Sequence, residues 1–133
     1  MINFNGYYIN LVKKVFDSRI NDNLISISAL IFYKNYTYKI LSKQEYSKHI
    51  KDFCITDLMD DGKTNGVFSI NEDIITLKPN DKYGNSYILS ILSNDKLYNS
   101  ITKSNMFFLS WKEHIKIKEI KNNNDILKKI LQI

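Results

Sequence analysis

The run from Gly66 to Ser104, GVFSINEDIITLKPNDKYGNSYILSILSNDKLYNSITKS, alternates apolar and polar residues and is broken by turn-forming residues. Side chains on a strand point alternately to its two faces, so an apolar residue at every second position marks a strand with one buried face. Phe68 and Ile70, then Ile75 and Leu77, then Tyr87, Leu89 and Ile91 keep that spacing, and Leu97 and Ile101 hold the parity further on. The breaks at Asn71-Glu72-Asp73, Pro79 to Asn85 and Ser93-Asn94-Asp95-Lys96 are rich in the residue types that close hairpins. Consecutive hairpins predict an antiparallel up-and-down meander.

The rest of the chain extends this pattern. Phe4 to Asp17 carries Tyr8, Leu11 and Val15 among polar residues, which suits a first strand that bends or loosens, although the same three would share a helix face. Asp17 to Asn23 is a polar loop, and LISISALIFY from Leu24 to Tyr33 is the strongest strand signal. Lys34-Asn35 reverses the chain, and Thr37 to Leu41 completes the hairpin with Tyr38 and Ile40 on one face. Ser42 and Glu45 then stand at capping-box spacing, and Tyr46, Ile50 and Phe53 recur at helical intervals, which predicts a short inserted helix over about 43–54. A polar connector, Asp57 to Asn65, leads into the meander, and Met106 to Ile120 supplies one or two further strands. Asp125 caps a predicted C-terminal helix over about 125–132, with Ile126, Leu127, Ile130 and Leu131 on one face. The whole chain, 1–133, reads as a single mainly β domain of about eight strands that closes into a barrel, since closure removes exposed edges.

Composition narrows the partners. The net charge is +5, but Arg19 is the only arginine among 19 basic residues. Guanine and phosphate recognition favours the planar guanidinium fork, so nucleic acid is not the expected partner. A single cysteine, Cys54, excludes an internal disulfide. The N-terminus lacks the pattern of a secretory signal, and no apolar stretch approaches the roughly eighteen residues of a membrane span, so the expected location is the cytoplasm, with no membrane partner.

The order GYY, LIFYKNYTYKI, GVFSINEDIITL, SYILSILSNDKLYNSI and MFFLSW resembles small lipocalin-like β-barrel proteins of bacteria over about Phe4 to Ile115. Gly6-Tyr7-Tyr8 is similar to the Gly-x-Trp start of lipocalins, with Tyr8 where tryptophan stands in that family. The resemblance implies an up-and-down barrel.

No residue set announces a reaction. Cys54, His49 and Asp52 are the residue types of a thiol nucleophile, its base and an orienting carboxylate, but one helix does not bring positions five apart together. Cys54 lies between Phe53 and Ile55 and reads as a buried thiol. Asp57, Asp60 and Asp61 before Gly62 offer oxygen ligands without the spacing or closing Glu of a calcium loop. His49 and His114 lack partners at zinc-ligand spacing, so no metal and no cofactor is expected. The residues expected to face a ligand cavity are Tyr8, Phe32, Tyr38, Phe68, Tyr87, Leu89, Phe108 and Trp111, with Lys39, Lys78 and Lys112 as rim charges for an anionic ligand.

The chain is therefore expected to be a non-enzymatic binding protein. The first expectation is a small bacterial or mobile-element immunity or inhibitor protein acting through a protein–protein interface, suggested by its size and its many tyrosines. The alternative is a lipocalin-like protein that binds or sequesters a small molecule in the barrel interior. The terminal ILKKILQI either braces the sheet or docks on a second copy, which would make a homodimer. An enzyme would need polar residues converging inside the barrel, which the alternation does not suggest.

Overall fold

In a computed structural model of the chain, which describes residues 2–52, 58–59, 65–82 and 84–110, eight antiparallel strands follow one another and close into a barrel. They are β1 (Gly6–Asp17), β2 (Asp22–Phe32), β3 (Thr37–Tyr46), β4 (Gly66–Asn71), β5 (Ile74–Pro79), β6 (Tyr87–Ser93), β7 (Lys96–Asn99) and β8 (Ser104–Ser110). The barrel shuts where β8 returns to β1, pairing Gly6 with Ser110, Tyr8 with Phe108 and Ile9 with Phe107. Gly6 permits this seam, because a Cβ there would stand 2.0 Å from the Leu109 carbonyl oxygen. The expected meander is thus present and its first and last strands meet.

Hairpin turns use non-glycine residues in the left-handed region: Asn21, Tyr36, Glu72 and Lys103 have φ of 56°, 64°, 55° and 52°. Asparagine tolerates that conformation, whereas the other three are strained there. Ile101 falls in the β7–β8 turn and is exposed, so the parity that links it to Leu97 ends at β7.

The helix expected over 43–54 is not formed as such. Residues 43–46 are the end of β3, paired as Ile27 with Lys43, Ser26 with Gln44, Ile25 with Glu45 and Leu24 with Tyr46. A continuous ladder against β2 pairs the backbone of these residues along one edge, which a two-residue capping signal does not match. Helical winding is limited to a 3₁₀ turn, Ser47–Asp52. Asp22 starts it: its carboxylate accepts the Ser47 hydroxyl and the Lys48 N–H at 3.0 Å. Residues 53 and 54 and the helix expected over 125–132 lie outside the described residues.

Two apolar clusters stabilise the barrel. The interior one holds Tyr8, Leu30, Phe32, Tyr38, Phe68, Ile75, Leu77, Leu89, Ile91, Leu97, Met106 and Phe108. The second lies on the outer face of β8, β1 and β2, where Tyr7, Ile9, Ile27, Ala29, Ile31 and Leu109 are buried together with Leu58. Much of β2 is therefore buried on both faces, which explains why LISISALIF reads as almost unbroken apolar sequence. The outer face of β4 to β6 contrasts with this: Val67, Ile74, Ile88 and Leu92 are 40–55% exposed.

Candidate functional site

The two ends of the barrel differ because the inward-facing residues differ. At one end aromatic rings fill the section, with Tyr8 at 5.8 Å from Phe32 and 5.2 Å from Phe108, and Phe32 at 4.8 Å from Phe68. Ile2 and Phe4 pack against this cluster from the N-terminal segment. The Tyr8 hydroxyl donates to the Asn94 carbonyl at 2.7 Å and accepts the Asn3 N–H at 2.9 Å, tying that segment to the β6–β7 turn. Burial pushes the Tyr8 phenol from 10.0 up to about 12; the Asn3 N–H opposes the rise and Asp95 adds to it. This end is closed.

Towards the other end the inward positions become small and polar. Asn10 on β1 faces Ser28 on β2, and Ser26 lies one inward position nearer the open end. Asn10 and Ser104 are 5% and 7% exposed, and the Asn10 amide donates to the Ser104 hydroxyl at 2.9 Å, which lies 2.6 Å from the Thr102 hydroxyl. Asn10, Ser26, Ser28, Asn99 and Thr102 wall a cavity of about 150 Å³, together with the apolar Leu30, Ile40, Leu77, Leu89 and Met106. A wider mouth of about 470 Å³ shares Lys14, Ser26, Ser28, Ile40 and Tyr87 with it, and adds Tyr38, Ser42 and the β5–β6 loop at Pro79, Asp81, Gly84 and Asn85. Burial, with Tyr87 nearby adding to it, pushes the Tyr38 phenol above its ordinary 10.0.

Lys14 reaches both spaces through a local irregularity. Lys13 pairs with Ile25 and Val15 with Leu24, so Lys14 is an extra residue without a partner across the ladder. Such a bulge twists the strand and redirects a side chain at a barrel rim.

The residues singled out from sequence separate into groups. Tyr8, Phe32, Phe68 and Phe108 come together, but as the packed closed end. Tyr38, Tyr87 and Leu89 line the cavity or its mouth. Lys39, between the inward Tyr38 and Ile40, is on the outer face opposite Ile31, and Lys78 is exposed opposite Val67, so neither lines the open end. Trp111, Lys112, Cys54, His114 and the aspartates 57, 60 and 61 lie outside the described residues. His49 and Asp52 belong to the 3₁₀ turn. Among the described residues no three His, Cys, Asp or Glu side chains gather as metal ligands.

The sequence reading missed Asn10, Lys14, Ser26, Ser28, Asn99 and Thr102. Its own alternation held a signal: Ser26 and Ser28 share parity with Leu30 and Phe32, so an inward apolar face carries two hydroxyls. The interior is consequently not apolar throughout, contrary to what the alternation suggests.

Fold and site define a closed eight-stranded antiparallel barrel, packed at one end and open to a polar-walled cavity at the other. No protein-family model, curated protein or solved structure matches the chain.

Proposed function

We propose that this protein is a binding protein that holds a small molecule in the open end of its barrel. The observation that carries the reading is the division of the interior. Eight strands enclose a space that side chains just fill or that admits one small ligand. Here large residues fill one end, while Asn10, Ser26, Ser28 and Asn99 leave the other open. Buried hydroxyls and amides weaken a core unless bonded, so their placement round a cavity fits ligand contact better than packing.

A second reading, a protein partner for an immunity or inhibitor protein, is favoured by the exposed Val67, Ile74, Ile88 and Leu92 on β4 to β6. Native mass spectrometry of the protein purified gently from its producing cell separates the two. A small retained mass above the 15.7 kDa chain supports the cavity reading. Retention of a protein partner with no small mass supports the second reading, and a bare monomer contradicts both.

A further inference from the structure

We propose that the cavity's ligand is a small organic monocarboxylate, its apolar body on the floor and its carboxylate between the Lys14 ammonium and the hydroxyls of Ser26 and Ser28. The inference rests on the cavity reading and adds the chemical class of the ligand.

The walls are graded by depth. Along β2 the inward positions run from Leu30 at the packed end through Ser28 to Ser26, and along β1 from Tyr8 through Asn10 to the bulged Lys14, so the lining passes from apolar through polar to the charged rim. An amphipathic molecule matches that gradient in one orientation only, apolar end first. The volume limits its size, because about 150 Å³ is the space that takes up a benzene ring. A ring or a short alkyl chain fits the floor, with the head at the level of Lys14, Ser26 and Ser28, which line both the cavity and its mouth.

The sign of the head follows from the charges. Lys14 lines both the cavity and the mouth, and among the described residues no carboxylate pairs with it. The nearby acids on the β1–β2 hairpin are engaged: Asp17 accepts bonds from Arg19 and Tyr46, and Asp22 from Ser47 and Lys48. Asp81 lines the outer mouth and not the inner cavity, so the inner cavity carries one positive charge and no negative one among the described residues. A single ammonium flanked by hydroxyl donors suits a planar monoanion, whereas a phosphate dianion calls for a cluster of cations or an arginine fork. The bulge strengthens the argument, since the one residue inserted into β1 beyond its ladder partners is this lysine.

The test is calorimetric titration of the full chain with benzoate and hexanoate against their neutral isosteres, benzamide and hexanamide. The wild-type protein is expected to bind the carboxylates about tenfold more tightly, as a partly buried charge-assisted contact would provide. Lys14→Met abolishes that preference while leaving amide binding in place, Lys14→Arg retains it, and Lys78→Met on the outer face changes nothing. Equal affinity for acid and amide, or a preference that survives Lys14→Met, overturns the carboxylate assignment and leaves the cavity reading standing. No binding of either series overturns both.

Discussion

Removing the Asn10–Ser104 contact in two ways separates a polar pair retained for ligand contact from one needed by the fold. Both residues are nearly inaccessible, and among the described residues the Asn10 amide donates to the Ser104 hydroxyl alone, at 2.9 Å, which is itself 2.6 Å from the Thr102 hydroxyl. Ser104→Ala leaves the Asn10 amide without that acceptor, at a cost of about 1–3 kcal/mol for an unsatisfied buried donor. Asn10→Leu costs about 1 kcal/mol or less, because the Ser104 hydroxyl keeps Thr102 as a partner. The double variant replaces both ends with apolar groups of similar volume and is expected to lie within about 1 kcal/mol of the wild type. The coupling energy of the cycle is then about 1–2 kcal/mol, well above the error of additivity for independent sites. Urea unfolding followed by circular dichroism measures all four proteins, at about 4 °C of melting temperature per kcal/mol if heat is used instead. Additive single effects, or a double variant much less stable than either single one, would refute the view that this pair is dispensable to the fold.

Three further outcomes follow from particular contacts. Tyr8 has a folded pKa raised above that of the unfolded chain, so the stability it lends is present below pH 10 and is lost as pH rises towards about 12; an alkaline unfolding scan should show this loss, and Tyr8→Phe should flatten it. Gly66→Ala places a Cβ 2.1 Å from the Lys78 carbonyl oxygen, and the backbone shift is expected to destabilise by about 1–3 kcal/mol, with faster hydrogen exchange along β4 and β5. Glu72 begins a two-residue turn at φ 55°, where glycine is unstrained, so Glu72→Gly should stabilise the fold by about 0.5–1 kcal/mol, read as a higher urea midpoint.

The strands were legible because their signal is local. Alternation at Phe68, Ile75, Leu77, Leu89 and Leu97 fixed the inward face of β4 to β7, and each of these is buried in the interior cluster. The helix over 43–54 failed because its cue, Ser42 with Glu45, is also local, while the ladder that extends β3 to Tyr46 depends on a partner strand some twenty residues away. Closure had no local signal either, since the seam joins residues 6–9 to 107–110. The cavity was missed for a related reason. Sequence reading singled out large aromatics, and large rings pack together, so Tyr8, Phe32, Phe68 and Phe108 close one end. The open space lies where residues are small, and Ser26 and Ser28 become cavity walls only once the β1–β2 register sets them opposite Val12 and Asn10. Lys14 depends on a bulge, which no pattern of hydrophobicity announces.

The most direct test of the central claim is to map where a ligand lands by ¹H–¹⁵N correlation spectroscopy during titration with benzoate. Shift changes concentrated at Asn10, Lys14, Ser26, Ser28, Asn99 and Met106 are the predicted result. Changes confined to Val67, Ile74, Ile88 and Leu92 on the outer face, or no changes at saturating benzoate, would contradict a ligand site inside the barrel.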